Sequence, residues 1–437
     1  MSARAQRWWL GILIAGVVLL VLCVVIIRAM TLPPLRPAPE PKQARTSAGD
    51  WVEVSRGQYL VRAGDCMACH TADGGKAFAG GRAVPTPFGT IYSTNITPDP
   101  ATGIGNWSFE DFYRAMHHGI RRDGSRLYPA FPYPWYTLAT RDDVFAIKAW
   151  LDTLQPVQQR APDNELPWPL SLRAVMAGWN TMFFDAGTYQ PRPDESAQWN
   201  RGAYLVQGLL HCAACHTEKN FAGATNEDRA LQGGLAEHAF APSLHGGMRD
   251  GLGAWSVNDI VEYLKTGSNV KTSAAGPMAE VVERSTQYLN DADLTAIAVY
   301  LKKLPGDNGN AYDDKAGSDK IAEQTMQRGH DVYLDNCQGC HMEQGKGLKR
   351  VFPPLNGSSA IMAAKPDTLI LVLLQGARIP ATDLKPTGFK MPAFDAKLDD
   401  KQIADVLTYI RNAWGNQASA VSASAVAEKR KVANTAP

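Results

Sequence analysis

Three five-residue stretches contain the side chains of this sequence that could do chemistry. They are Cys66-Met67-Ala68-Cys69-His70, Cys212-Ala213-Ala214-Cys215-His216 and Cys337-Gln338-Gly339-Cys340-His341. Two thiols three residues apart share one helical turn, where they can add to the two vinyl groups of a haem, and the following His can ligate the iron. The sequence therefore predicts three covalently attached c-type haems.

A redox disulfide or half of a zinc site would use the same cysteine pairs. Each pair here is followed by His, with no second pair beside it to complete a zinc tetrahedron. The three motifs also use six of only 7 cysteines in 437 residues. Chance repetition of the full motif is therefore excluded, and haem attachment remains the prediction.

Length and composition fit a protein of several globular units. A chain of 437 residues is long enough for about three domains. With 45% hydrophobic and 20% charged residues, its composition is that of ordinary globular proteins. The net charge of +1 gives no reason to expect a nucleic acid partner.

The N-terminus contains an uncharged, mostly apolar run from Trp8 to Ile27, which at helical rise just crosses a bilayer. Arg4 and Arg7 precede it and would hold that end in the cytoplasm. We expect residues 1–30 to be a transmembrane anchor in a bacterial inner membrane, with a Pro-rich linker at 31–50 and the globular part in the periplasm. A cleaved signal peptide is the alternative, but the run is long for one and lacks a small-residue cleavage site.

An internal repeat surrounds the three motifs. Ahead of each motif is an amphipathic segment that begins with Arg-Gly, at Arg56, Arg201 and Arg328. Two related blocks then predict capping boxes, Ser108 with Asp111 and Ser256 with Asp259, for helices that end at Gly119 and Gly267. Each unit closes with a helix that carries a core aromatic residue: Trp150, Tyr300 and Tyr409.

A helix that leads into a haem motif, a middle helix, a Met-bearing loop and an aromatic final helix resemble the class I cytochrome c fold. The resemblance implies a mainly α chain with three tandem class I cytochrome c-like domains, at 51–157, 199–306 and 317–414. Residues 158–198 form a connecting segment that is too apolar to be a free tether. Residues 415–437, rich in Ala and Ser, are expected to be a disordered tail.

The sixth iron ligand decides whether a haem carries electrons or binds small molecules, and a thioether in that position raises the potential. Met278 and Met391 each stand beside Pro in a loop after a middle helix, which predicts both as ligands. The first unit has Phe131 at this position. Met116 is the predicted ligand there, with His117 or His118, or an open site, as alternatives.

Longer stretches resemble the triple-haem cytochrome c subunits of acetic-acid-bacterial membrane-bound dehydrogenases. They are residues 86–98, 127–133, 199–206 and 276–282. The resemblance implies a role in electron transfer from a catalytic subunit, of molybdopterin, PQQ or flavin type, through three haems to ubiquinone. A further small subunit would belong to such a complex.

Phe131 together with Met116 resembles the cytochromes that partner molybdenum hydroxylases, which favours an aldehyde dehydrogenase as the partner. Alcohol and sugar or gluconate dehydrogenases are alternatives. No constellation of a nucleophile with a general base appears in the sequence, so no substrate catalysis is expected in this chain. Two other classes stay open: a peroxidase with an open first haem, and an electron donor to a terminal oxidase.

Overall fold

The computed structural model describes residues 8–9, 11–22, 48–236, 238–306 and 321–435. Residues 11–22 are helical. Among the described residues, no helix is both long and apolar enough to cross a bilayer. The remainder of the predicted anchor, residues 1–7, 10 and 23–30, and most of the predicted linker at 31–50 lie outside the described residues.

The first domain surrounds the first cysteine pair with helices and one short hairpin. Its elements are α1 (Ala48–Ala63), α2 (Cys66–Cys69), β1 (Ala83–Thr86), β2 (Gly89–Tyr92), α3 (Phe109–His118), α4 (Tyr133–Tyr136) and α5 (Arg141–Leu151). Ser108 and Asp111 form the predicted capping box of α3, and Gly119 ends this helix in the left-handed conformation.

The second domain repeats this order after a helix in the connecting segment, α6 (Val175–Phe183). Its elements are α7 (Ala197–Tyr204), a π-helical turn (Leu205–Leu209), α8 (Ala213–His216), β3 (Gly234–Ala236), β4 (Ala239–Ala241), α9 (Val257–Thr266), α10 (Pro277–Arg284) and α11 (Asp291–Lys302), with 3₁₀ turns at Glu227–Arg229 and Thr286–Tyr288. Ser256 and Asp259 cap α9 as predicted, and Gly267 ends it.

The third domain is built in the same way, and its described part begins at residue 321. Its elements are α12 (Glu323–Asn336), α13 (Gln338–His341), α14 (Asp367–Gln375), β5 (Ala377–Arg378), β6 (Lys390–Met391) and α15 (Asp400–Asn412), followed by α16 (Ala423–Thr435). The strand pairs β1–β2, β3–β4 and β5–β6 are all antiparallel.

The Arg-Gly pair of each repeat fixes how the first and last helices of a domain cross. A Cβ on Gly57, Gly202 or Gly329 would overlap a backbone carbonyl of the last helix, so only glycine allows this approach. The arginine before each glycine forms an ion pair with an aspartate on the last helix of its domain. The pairs are Arg56 with Asp143, Arg201 with Asp293 and Arg328 with Asp405.

In each of the first two domains, one tyrosine donates a hydrogen bond to an aspartate of the other domain, and we call this reciprocal contact the tyrosine exchange. Tyr59 of the first domain donates a hydrogen bond to Asp293 of the second, over 2.6 Å. Tyr204, which has the matching position in the second repeat, donates to Asp143 of the first domain. The two domains also share one continuous hydrophobic core. The two domains therefore pack as one unit, and the tyrosine contact that each makes to the other is equivalent.

The third domain has its own hydrophobic core and joins the second by polar contacts. Arg350 and Arg378 pair with Glu262 and Glu283 of the second domain. The position that holds tyrosine in the first two repeats is Asp331 here. The exchange seen between the first two domains therefore has no counterpart at this position.

The connecting segment packs against the first two domains, as its apolar composition indicated. Met176 and Trp179 of α6 are buried with Tyr133 of the first domain. The Trp179 indole Nε1 donates to the carbonyl of Ala222 in the second domain over 2.9 Å. The segment therefore helps to hold the first two domains together.

The expectation of a disordered tail at 415–437 is wrong for the residues that the structure describes. Helix α16 packs on α14 and α15, with Val421 and Val426 buried in the third core. Arg430 pairs with Asp400 over 2.7 Å. Alanine favours helix, and the two valines together with the ion pairs of Lys429 and Arg430 dock this segment on the third domain.

Three candidate haem sites

A short helical turn contains most of each motif: α2 begins at Cys66, whereas Cys212 and Cys337 are the N-cap residues of α8 and α13. In every motif the His Nδ1 faces a backbone carbonyl. His70 contacts the Thr94 oxygen at 2.6 Å, His216 the Pro242 oxygen at 2.7 Å, and His341 the Pro353 oxygen at 3.0 Å. A neutral imidazole that donates from Nδ1 presents the lone pair of Nε2, which is the arrangement an iron ligand needs.

Burial keeps these histidines neutral. It lowers the pKa of His70, His216 and His341, while the hydrogen bond to the carbonyl acts in the opposite direction. A metal-binding imidazole must be unprotonated, so this environment suits ligation.

The first thiol of each motif is also sheltered from water. Burial raises the pKa of Cys66 and Cys212 to about 12 and that of Cys337 to about 11. Thiols with such pKa values are protonated at neutral pH and exchange disulfides slowly, since the thiolate is the reactive form. The paired thiols and the oriented His together fit the attachment of haem c.

Met391 occupies a position consistent with the predicted distal ligand of the third site. It lies in β6 and packs against the same hydrophobic cluster that contains Cys337. A hairpin holds it, because Ala377 pairs with Met391 across β5 and β6. Its side chain is half-buried, and it remains the predicted ligand.

Met278 lies at the start of α10, directly after Pro277. Its side chain packs in a small cluster with Ala279, Val282 and Tyr263. Helix α10 also contacts α2, the attachment turn of the first domain, and Glu280 on α10 forms an ion pair with Arg82. The predicted distal side of the second site is thus also part of the interface with the first domain.

In the first domain, the aromatic ring of Phe131 fills the loop position. It packs against Tyr136 with the ring centroids 5.5 Å apart. Met116, on α3, is buried in the core against which Cys66 packs. Its assignment as the distal ligand remains a prediction.

The alternative that His117 ligates the first iron is disfavoured by its hydrogen bonds. Its Nε2 lies 3.3 Å from the Thr188 hydroxyl and its Nδ1 3.4 Å from the Thr137 hydroxyl. Both ring nitrogens therefore have partners in the protein. His118 stands edge-on to Tyr113 with centroids 6.3 Å apart, and it stays an alternative.

Comparison with known proteins decides the family. The family model for cytochrome c matches residues 54–155, 200–305 and 326–414, with one motif in each region. The chain belongs to the cytochrome c family. The expected fold of three tandem cytochrome c domains in a mainly helical chain is thereby confirmed, and cytochrome c domains carry covalently bound haem.

This cytochrome is similar over most of its length to three curated proteins. It is 42% identical over 398 residues to the gluconate 2-dehydrogenase cytochrome c subunit of Pantoea cypripedii, which covers 86% of this chain and 89% of the relative. It is 40% identical over 389 residues to the alcohol dehydrogenase (quinone) cytochrome c subunit of Gluconacetobacter polyoxogenes, with coverage of 86% and 83%. The fructose dehydrogenase cytochrome subunit of Gluconobacter japonicus is 37% identical over 417 residues, with coverage of 90% and 85%.

Sequence reasoning missed the groups that orient this cytochrome's histidines. The acceptors are the carbonyls of Thr94, Pro242 and Pro353, at 24, 26 and 12 residues after their histidines. Backbone carbonyls leave no residue-type signal. The only available hint was that Pro occupies two of the three positions.

Proposed function

We propose that this cytochrome c is the electron-transfer subunit of a membrane-bound dehydrogenase complex in the bacterial periplasm. It would pass electrons from a catalytic subunit to ubiquinone. One observation carries the proposal: the chain matches dehydrogenase cytochrome subunits along most of its own length and theirs. The oriented attachment His of all three domains supports it.

The residues of the chain would hold the haems and keep water from them. Haem supplies reversible one-electron chemistry between ferrous and ferric iron. Cys66 and Cys69, and their counterparts in the other motifs, would tether the macrocycle, and the buried cores would limit solvent access to it. Shielding from water keeps the reorganisation on electron transfer small, since few polar groups have to move.

The membrane anchor is part of the proposal. The uncharged run at 8–27 is long enough for a bilayer, and Arg4 and Arg7 precede it. N-terminal sequencing of the protein from purified membranes should begin at residues 1 or 2. A mature N-terminus near residue 30 would contradict an uncleaved anchor.

The catalytic partner is proposed to be an aldehyde dehydrogenase, because Phe131 replaces the loop Met and Met116 is available on α3. The experiment is to solubilise native membranes, purify the complex through a tag at the C-terminus of this chain, and identify the cofactor of the co-purified large subunit. Molybdopterin would support the proposal. PQQ or flavin would support the alcohol or sugar alternatives and contradict the aldehyde assignment, and the absence of any dehydrogenase would contradict the function itself.

A further inference from the structure

A cavity lies between the first two domains, beside the attachment turn of the first site. Its volume is about 550 Å³, which is in the range of small-molecule sites. The first domain supplies the end of α1, Met67, the loop at 76–78 and the end of α5 with the residues after it, and the second domain adds Arg284 and Tyr288. The described residues that line it include none of the cysteines, histidines or methionines assigned to haem attachment or iron ligation. The cavity is therefore distinct from the three candidate haem sites.

The walls of the cavity are mostly apolar. Phe78 and Trp150 meet edge-to-face, with ring centroids 5.4 Å apart and an interplanar angle of 75°. Further apolar surface comes from Val61, Met67, Leu154 and Val157. Walls of this kind favour a hydrocarbon chain, because burying it removes apolar surface from water.

Three cationic side chains also line the cavity, and its described lining contains no acidic one. The cations are Arg62, Lys76 and Arg284. No described carboxylate oxygen lies within 4.0 Å of their charged nitrogens. Asp65 attracts Arg284 from beyond that distance, but burial raises the pKa of its carboxyl, which makes it a poor counter-charge. Three cations without an ion-pair partner at an apolar wall favour a carboxylate or phosphate.

Direct contacts between the two domains hold the cationic groups in place. The Arg62 guanidinium lies 3.7 Å from the centroid of the Tyr288 ring, a cation–π contact across the interface. Ser285, next to Arg284, donates a hydrogen bond to the carbonyl of Ala63, next to Arg62, over 3.1 Å. The cavity therefore has walls from both domains, and it exists only when the two domains are packed together.

We propose that this cavity binds an anionic amphiphile. The apolar chain lies against Phe78 and Trp150, and the carboxylate or phosphate head lies among Arg62, Lys76 and Arg284. A free fatty acid and an acidic phospholipid share this chemistry. A neutral ligand such as a quinone would leave the three cations without a counter-charge, so the charge pattern favours the amphiphile.

This inference goes beyond the proposed electron transfer, because binding is non-covalent and uses none of the residues assigned to the haems. A ligand that contacts Arg62 of the first domain and Arg284 of the second also links the two domains. The bound amphiphile therefore stabilises the packed pair.

The test is photo-crosslinking of the full chain with its haems in phosphatidylcholine nanodiscs, without the dehydrogenase. Palmitate and phosphatidylglycerol, each with a diazirine at the end of an acyl chain, are the anionic probes. Hexadecanol and hexadecyltrimethylammonium with the same group are the neutral and cationic probes. Peptide mass spectrometry locates the crosslinks.

Four variants separate the charge of the cavity from its volume. Lys76→Gln and Arg284→Gln each remove one charge, whereas Arg62 is kept because its contact with Tyr288 belongs to the interface. Ala77→Phe fills the cavity from an exposed position and leaves all three charges in place. Lys346→Gln is the matched control, because this lysine is exposed in the third domain. Circular dichroism and haem absorbance should match the wild type in all four.

The expected result is crosslinking of an anionic probe to residues 150–157. The yield should be several-fold lower in Lys76→Gln, Arg284→Gln and Ala77→Phe and unchanged in Lys346→Gln, and the anionic probe that labels more strongly identifies the source of the ligand. No crosslink to this segment from either anionic probe, equal labelling by the neutral or cationic probe, or wild-type labelling in both charge variants would overturn the site. Since no dehydrogenase or quinone takes part, these outcomes are independent of the proposed function.

Discussion

At the scale of single residues, what is repeated is the orientation of an imidazole. His70, His216 and His341 each present Nδ1 to a carbonyl within 3.0 Å, although the loops that supply the carbonyl differ in length. The proximal side is thus uniform. The three domains differ at the position predicted for the distal ligand, which is Phe131 in the first domain and Met278 and Met391 in the others, and the identity of that ligand sets the potential.

Replacing Met278 or Met391 with Leu should lower the midpoint potential of one haem, because the thioether that favours the ferrous state is lost. The Met248→Leu and Met326→Leu variants are matched controls in the same two domains and should leave all three potentials unchanged. Redox titration of each purified variant measures this. Three unaltered potentials in both ligand variants would rule out the assignment.

The Met116→Leu variant should convert one haem from low-spin to high-spin, because no other described thioether lies between His70 and Phe131 on the chain. Electron paramagnetic resonance and optical spectra of wild type and variant decide this. If the wild type already contains a high-spin haem that binds carbon monoxide readily, the first site is open. Three intact low-spin signals in the variant would transfer the role to His118.

At the scale of elements, one glycine in each repeat sets the crossing of the first and last helices. Gly202 lies against α11 so closely that a methyl group would overlap the Ala296 carbonyl and approach the Tyr300 Cβ to 2.8 Å. Neither group is the end of a flexible side chain, so the helices themselves would have to separate. The ion pair of Arg201 with Asp293, beside this contact, would be strained with them.

The Gly202→Ala variant should therefore be destabilised by about 1–3 kcal/mol, the usual cost of overpacking a closed core. Gly178→Ala is the control, because a Cβ there meets no atom within 4 Å. That substitution lies in α6 and should be neutral or slightly stabilising. Denaturant unfolding followed by circular dichroism measures both, and equal stabilities of the two variants would refute the crossing argument.

Several elements were predictable from sequence because their signals are local. The capping pairs at Ser108 and Ser256 and the terminal glycines Gly119 and Gly267 act within a few residues of each helix end. Helix α16 was not predictable, because Val421 and Val426 are too few for a periodic pattern and depend on a surface formed by α14 and α15. The tyrosine contacts between the first two domains likewise exist only after the two domains have docked.

At the scale of the whole molecule, the first two domains act as one unit and the third is attached to it. Asp293 links the first two domains, since Arg201 from its own domain and Tyr59 from the first domain both donate hydrogen bonds to its carboxylate. Burial alone would raise the pKa of Asp293, but these hydrogen bonds outweigh it and lower the pKa below the ordinary value. An acid whose pKa is lower in the folded state stabilises the fold above its unfolded-state pKa, about 3.9.

The contribution of Asp293 should therefore be complete at neutral pH and be lost as the pH falls below about 3.9 through the folded-state pKa. Tyr59→Phe removes one of the hydrogen bonds, so it should cost about 1 kcal/mol at pH 7 and raise the pH midpoint of acid unfolding. Tyr92→Phe is the control, because its hydroxyl bonds the exposed Glu165 side chain. Equal acid midpoints for the two variants would show that the exchange adds no stability.

We propose that this cytochrome carries electrons from a dehydrogenase subunit to ubiquinone through three haems. The most direct measurement is rapid mixing of the purified membrane complex with its substrate under anaerobic conditions, with the haem absorbance followed in time and a ubiquinone analogue then added. We expect that three haems per chain become reduced and are reoxidised when the quinone is added. Haems that stay oxidised while substrate is consumed, or that stay reduced after quinone is added, would contradict it.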